Sequence, residues 1–384
     1  MESHSENQDY GAPFVDTAVR VAQTIDGFED RGEILLLSVN IYAESGETDS
    51  ALNLAETIDD SYQRDLAVTK IAAACAAAGD EEQAESLLDT IEDEAAYGLA
   101  IEQIAAAFAR SGEIDKAVGI AERLSDSASA LSSIALACPS KDLLTEYVEI
   151  ARSIDYPEMK ATALVELAVK ARTLEGPSEL AGLIEEAVVT AGEIDFPPQR
   201  IEARMAIAAL YKSDSQLEQA AQVLGQARGD CEEAEGLARD AALGQIAAAY
   251  AELRDFNTAD QLLEEIEDPF QFAHSTAAVA FEHYQAGDET AAVKLLANGF
   301  DVIKDEPVYV QETLNRREGA LEQLARTYAS IGRVEDALQV IESQASQEQR
   351  DATLRQIAPL SASPDNPGTV FKVFEKIKMT PCGC

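Results

Sequence analysis

The chain has 384 residues, of which 71 are acidic and 29 basic, giving a formal net charge of -42 and a sequence pI near 4.2. A surface of that sign repels phosphate backbones and anionic lipid, so nucleic acid is excluded as a partner. No run of 18 apolar residues occurs and the N-terminus MESHSENQDYGAP is polar and acidic, which excludes membrane insertion and leads us to expect a soluble, cytoplasmic protein. Only 11 of the bases are lysines, and abundant Asp and Glu with scarce Lys is the composition of a protein adapted to molar salt. On that halophilic reading the acids are a solvation layer, not a site for a basic partner. Five cysteines, an odd number in a long chain, argue against a disulfide framework and for a reducing compartment.

In chain order, residues 1–13 read as a disordered acidic tail ended by Pro13, and Asp16 to Ile25 as a lone second-type helix that caps the array. The repeating unit is clearest at residues 64–96, RDLAVTKIAAACAAAGDEEQAESLLDTIEDEAA. Apolar Val68, Ile71, Ala72 and Cys75 recur at helical spacing, Gly79-Asp80 interrupts, and Ala84, Leu87, Leu88 and Ile91 resume the pattern. This is a hairpin of two short amphipathic helices. The small residue that anchors the second helix falls at Ala18, Ala51, Ala84 and Ala117, each 33 residues after the last. The closing apolar position runs Ile25, Ile58, Ile91, Leu124, Ile154, Ile194, Ala227, Ile266, Gly299, Gln344 and Ile377, at intervals of 33, 33, 33, 30, 40, 33, 39, 33, 45 and 33. Whole-unit periods separated by short insertions mark an array in which each hairpin buries its apolar face against its neighbours.

Residues 14–378 therefore read as a single all-α solenoid of about ten hairpins. The units 31–58, 64–91 and 97–124 are regular, with irregularities at 139–142, 173–178, 228–238, 300–316 and 359–368. Pro139 shortens one unit, and the segment around 173–177 lengthens helices or widens a turn. FDVIKDEPVYVQETLN adds twelve residues as a longer helix and loop, and Pro359 with SASPDNPG interrupts the last unit. A locally basic helix, Val370 to Ile377, comes next, and residues 379–384 form a tail holding Cys382 and Cys384.

The register resembles that of the tetratricopeptide-repeat (TPR) superfamily, whose hairpins place a bulky residue late in the first helix and a small one early in the second. Here Tyr42, Cys75, Phe108, Cys138, Tyr211, Tyr250, His283 and Tyr328 fill the first role, and Ala51, Ala84, Ala117, Ala187, Ala220, Ala292 and Ala337 the second. The family's early Trp and closing Pro are absent. The resemblance implies a TPR-like right-handed superhelix whose first helices line a concave groove for peptides or protein surfaces, with no catalysis. It places Thr69, Glu102, Arg110, Met205, Lys212, Glu252, Glu322 and Arg326 along that groove, among Ala209, Gly244 and Ala248.

Candidate chemistry is sparse. Arg31, Arg64, Lys160, Arg200, Arg239, Arg317 and Arg350 recur at the starts of first helices, where a cation opposes the macrodipole and needs another partner. Asp26, Asp59, Asp155 and Asp195 lie five residues before four of them, and a ladder of ion pairs between hairpins is the simplest account. Cys75 and Cys138 share the position of Phe108, so each reads as a core residue. His283 also falls there as a packed, satisfied histidine, while His274 and His4 have no repeated partner, and three scattered histidines make no zinc site. Cys382-Gly383-Cys384 suits a soft metal, a redox pair, lipidation or an inert tail. No nucleotide-binding or nucleophile motif stands in a usable context, and no catalytic residue, cofactor or metal is assigned.

The sequence reading is thus a non-enzymatic scaffold or adaptor whose partners are other proteins or peptide segments. Its alternatives are a sensor subunit that changes pitch on binding a peptide or small ligand, and a hydrolase using paired carboxylates. If the acids are a solvation layer, the thermal midpoint rises as KCl goes from about 0.1 M to about 1 M, where the screening length falls from about 10 Å to about 3 Å. A midpoint indifferent to KCl over that range, followed by circular dichroism, removes the salt-adaptation reading.

Overall fold

A computed structural model describes residues 11–22, 24–25, 28–175 and 177–360. The expected tail at 1–10, the SASPDNPG segment, the helix at 370–377 and Cys382 and Cys384 lie outside them. Among the described residues there are twenty α-helices and no strand, falling into two compact units divided between Thr190 and Ala191.

The first unit runs α1 (Gly11–Ala22), α2 (Phe28–Glu44), α3 (Thr48–Ala55), α4 (Ser61–Ala77), α5 (Glu81–Leu88), α6 (Glu94–Arg110), α7 (Ile114–Ala121), α8 (Ala128–Leu136), α9 (Leu144–Arg152) and α10 (Pro157–Glu175). Helix α11 (Pro177–Gly192) carries the chain across the division. The second unit runs α12 (Pro197–Ser213), α13 (Leu217–Asp230), α14 (Gly236–Glu252), α15 (Phe256–Glu264), α16 (Pro269–Gln285), α17 (Glu289–Ile303), α18 (Gln311–Ser330), α19 (Val334–Glu342) and α20 (Gln347–Leu360).

Within each unit a long first helix packs on its own shorter second helix and on the first helices before and after it. The rows are α2, α4, α6, α8 and α10 in the first unit and α12, α14, α16, α18 and α20 in the second. This is a helical-hairpin repeat, and its core occupies the two key positions. The anchors Ala51, Ala84, Ala117, Ala187, Ala220, Ala292 and Ala337 have no exposed surface at all, and Cys75, Phe108, Cys138, Tyr211, Tyr250, His283 and Tyr328 are all buried. Tyr42 is half-buried.

Local chemistry starts and stops the helices. The Asp60 carboxylate accepts from the Gln63 backbone N–H at 2.8 Å at the head of α4, and Asp80 and Asp93 cap α5 and α6 the same way. At the end of α4, Gly79 turns left-handed at φ +84°, so that the N–H of Asp80 donates to the Cys75 carbonyl at 2.9 Å and that of Gly79 to Ala76 at 3.0 Å. These bonds satisfy carbonyls the helix leaves open and fold the chain back on itself. Ser215 and Arg254 take the same left-handed place after α12 and α14, at φ +61° and +67°, so the turn persists where no glycine is supplied.

The irregular segments resolve into helix length. Where the interval is 33, the second helices α3, α5 and α7 have 8 residues each. The insertions at 228–238 and 300–316 extend α13 to 14 residues and α17 to 15, and the latter is followed by the 20-residue α18. Around 173–178, α10 reaches 19 residues and α11 16. The unit containing Pro139 instead shrinks its first helix, α8, to 9 residues.

Three expectations need correction. Helix α1 already begins at Gly11, so Pro13 stands in its first turn, where its missing N–H costs nothing, and does not end a tail. Pro359 lies inside α20, one residue from its end, and does not interrupt it.

The third correction concerns the ion-pair ladder, which is built differently. Arg64 donates from Nη2 to the Ile58 carbonyl at 2.8 Å and to that of Asp59 at 3.4 Å, leaving the Asp59 carboxylate to Arg31. Arg200 likewise reaches the Ile194 carbonyl at 2.8 Å, and Arg317 the carbonyls of Ile303 and Lys304 at 3.1 and 2.8 Å. Arg64, Arg200 and Arg317 therefore serve the tail of the preceding second helix, where carbonyls are open and the macrodipole favours a cation. Arg239 instead donates forward to the Glu265 carbonyl at 3.1 Å, and Arg200 also pairs forward with the buried Asp230 carboxylate at 2.9 Å. The acid that follows such an arginine reaches forward. Asp65 accepts from the N–H groups of Glu92 and Asp93 at 3.1 and 2.8 Å, and Asp240 from those of Glu267 and Asp268 at the same distances. Glu318 does so for Ala345 at 3.2 Å. Burial is the main cause that raises the Glu318 carboxyl above its usual 4.5. An arginine–acid pair thus ties its own hairpin to the one before and the one after. Ion pairs between successive second helices also occur, Arg123 with Asp89, Arg152 with Glu186 and Arg228 with Glu265, but they are exposed and contribute little.

Asp240→Ala leaves two backbone N–H groups without an acceptor at a site 4% exposed, and a loss of about 2–3 kcal/mol is expected in urea unfolding. Asp65→Ala at the half-buried equivalent loses less, because water reaches the freed groups. Equal losses at the two positions would show that burial does not set the strength of this junction.

Candidate functional site

In the second unit the first helices α12, α14, α16 and α18 present a row of small side chains bordering three adjoining recesses of 440, 270 and 390 Å³. All three meet at Ala248. Gln245 is shared by the first two, Glu252 by the second and third, and Ala278 by the first and third.

The row is open because the backbones beneath it are close. A Cβ placed on Gly244 of α14 would stand 1.9 Å from Ser275 Oγ and 2.8 Å from its Cβ on α16, so only glycine fits. Ala248, Ala249 and Ala278 then cover a surface from which no long side chain rises.

The largest recess is walled by Gln245, Phe270, Gln271, His274, Ser275 and Arg316. Gln271 Nε2 donates to Ser275 Oγ at 3.1 Å. Arg316 donates to the Asp268 carboxylate and stacks its guanidinium 5.7 Å from the Phe270 ring centroid. His274 stands exposed at the edge of the recess, and desolvation on its recess side lowers its pKa from 6.5. In the second recess Lys212 and Glu252 form an ion pair of 2.5 Å beside Met205 and Leu224. In the third, Arg326 stands exposed beside Gln323, Thr327, Phe281 and Leu360, and it makes no hydrogen bond or ion pair with any described residue. Glu282, in the same recess, faces Arg254 at 3.4 Å.

Of the positions expected to line a groove, Met205, Lys212, Glu252 and Arg326 border these recesses, with Ala209, Gly244 and Ala248. Glu322 is half-buried on α18 and borders none of the three, and Glu102 and Arg110 lie on α6 in the first unit. Thr69 corrects the expectation outright. It has no exposed surface, and its hydroxyl donates to the Asp65 carbonyl at 2.9 Å and bridges to that of Ala96 at 3.3 Å. His283 is buried as expected but not satisfied. Its ring stacks on Phe256 at 4.1 Å and Nε2 lies 3.4 Å from Asp260, while Nδ1 has no hydrogen-bond partner among the described residues.

Gln245, Gln271, His274, Ser275 and Arg316 were missed. The available signal was register: His274 follows Ala241 by 33 residues, and both border the same recess. The three described cysteines are buried, with burial raising all three thiols and pushing Cys231 up to about 11, which makes them poor nucleophiles. Among the described residues no three His, Cys, Asp or Glu side chains gather as a metal site, and no helix is long and apolar enough to cross a membrane.

No protein-family model matches the sequence, and no curated protein matches it. Among solved structures the chain is similar to Ton1535 from Thermococcus onnurineus NA1, at 15% identity over 96% of this chain and 92% of that one, with a TM-score of 0.34. It is also similar to yeast Tom70, at 9% identity over 96% of both chains and a TM-score of 0.30. A third is a circular tandem repeat protein with novel repeat topology and enhanced subunit contact surfaces, at 15% identity over 96% and 82% and a TM-score of 0.16.

Because the folded pKa of His274 lies below 6.5, the unfolded chain binds the proton first as pH falls. The stability contributed is fully present above 6.5 and is lost on acidification through the folded pKa. NMR titration of His274 is expected to give a midpoint below 6.5, and His274→Gln to flatten the loss of stability in that window. A midpoint at or above 6.5 contradicts the desolvated placement.

Proposed function

We propose that this protein is a non-enzymatic interaction module of the cytoplasm that holds an extended segment of another protein across α12, α14, α16 and α18. The observation that carries this reading is the convergence of three recesses on Ala248, which makes one continuous strip floored by Ala and Gly. An extended chain presents N–H and C=O groups on both sides, and the amides of Gln245, Gln271 and Gln323 along the strip can serve either kind. The floor admits small side chains and the approach of a backbone. Ser275 Oγ accepts from Gln271 Nε2, and the mechanism of this reading is binding alone.

The test is to pan the full chain, in about 1 M KCl, against a random dodecapeptide library and to measure Kd for the peptides recovered. Ala248→Arg fills the meeting point of the recesses and is expected to weaken binding at least about tenfold, equivalent to about 1.4 kcal/mol. Glu264→Gln, on the exposed side of α15, is expected to leave it unchanged. Failure to recover any peptide sensitive to Ala248→Arg refutes the proposal.

A further inference from the structure

The charge of the strip is out of keeping with the rest of the molecule. The chain carries 71 acids to 29 bases, yet the ionised side chains bordering the three recesses are Glu252 and Glu282 against Lys212, Arg316 and Arg326. Both acids are already engaged, Glu252 by Lys212 and Glu282 by Arg254. Arg316 is engaged by Asp268. Among the described residues one cation of the strip, Arg326, is left without an ion-pair partner.

Resting on the interaction-module reading above, we propose that the segment held in the strip is acidic, with small side chains over Gly244, Ala248 and Ala278 and a side-chain carboxylate seated on Arg326. An acidic protein is ordinarily assigned a basic partner, but a basic segment in this strip would lay its charge against Arg326 and find both local carboxylates occupied. A carboxylate gains a guanidinium with free donors in planar fork geometry. The Gln323 amide in the same recess has no hydrogen bond to any described residue and supplies a further donor. Ala277, Ala278, Phe281 and Leu360 wall the recess with apolar surface. The repulsion from the remaining acids acts at longer range and fades when the screening length is about 3 Å, at about 1 M salt. Short-range attraction at Arg326 and long-range repulsion elsewhere are therefore separable by ionic strength. A basic segment would be attracted to the acidic exterior of the second helices without entering the strip.

The experiment uses the full chain and random dodecapeptides panned in about 1 M KCl, keeping only sequences that Ala248→Arg weakens. The kept set is expected to be enriched in Asp and Glu and depleted in Lys and Arg relative to the input library. Arg326→Gln is expected to weaken those peptides about tenfold, and replacing the peptide's carboxylate by its amide to produce the same loss without adding to it. Arg326→Lys should restore part of the affinity, since it keeps the charge and loses the fork. A kept set rich in Lys and Arg, or one indifferent to Arg326→Gln, overturns the acidic-segment assignment and leaves the interaction module standing. If no peptide is sensitive to Ala248→Arg, both are refuted.

Discussion

The close approach of successive first helices is the constraint on which the other features depend. In the second unit a Cβ on Gly244 of α14 would stand 1.9 Å from Ser275 Oγ and 2.8 Å from Ser275 Cβ on α16. Helices packed this tightly bury many alanines between them, alongside Ile and Leu, which accounts for a core so rich in alanine. The same tightness floors the outward row of first-helix positions with Gly244, Ala248 and Ala278, between longer side chains at its edges. The shallow strip over Ala248 is the exterior face of a packing requirement and involves no dedicated loop.

Stacking on apolar faces alone leaves helix ends in need of partners, and the arginine–acid pairs supply them. Arg64 and Arg317 close the carbonyl ends of the preceding second helices, while Asp65, Asp240 and Glu318 receive the N–H groups that open the next first helix. A cation at a helix head is unfavourable taken by itself, and it becomes favourable because the tail of another helix lies within reach. The polar residues that punctuate the array are thus part of its backbone hydrogen bonding. Substituting them acts on the joint between hairpins more than on either hairpin. The bulk of the acidity lies elsewhere, so a strongly anionic chain keeps a near-neutral strip here, with Glu252 and Glu282 against Lys212, Arg316 and Arg326.

Much of this architecture was legible in the residues themselves. Hairpin period, turn positions and the paired roles of Tyr328 with Ala337 or Phe108 with Ala117 follow from a helical spacing of apolar residues and from Gly79 or Gly112 at a chain reversal, all of which are local. Even where glycine gives way to Ser215 or Arg254 the register is kept, because two backbone hydrogen bonds close the turn whatever the side chain. Insertions were legible in position but not in form. A count of extra residues does not say whether they lengthen α13 and α17 or hang from them as loops, since that depends on whether a neighbouring helix offers a face to continue along.

The site was legible only in part, and Thr69 and His274 show why. Both stand on first helices, yet Thr69 is sealed by α6 while His274 looks into a recess beside α14. Sequence by itself determined that there would be hairpins, where they turn and which residues they bury, because each of those is settled within one repeat by periodicity and backbone bonding. Tertiary structure alone decided which first-helix positions stay open, which carbonyls the arginines reach and which charges remain unpaired. Those are properties of the distance between one repeat and the next, and no single repeat encodes that distance.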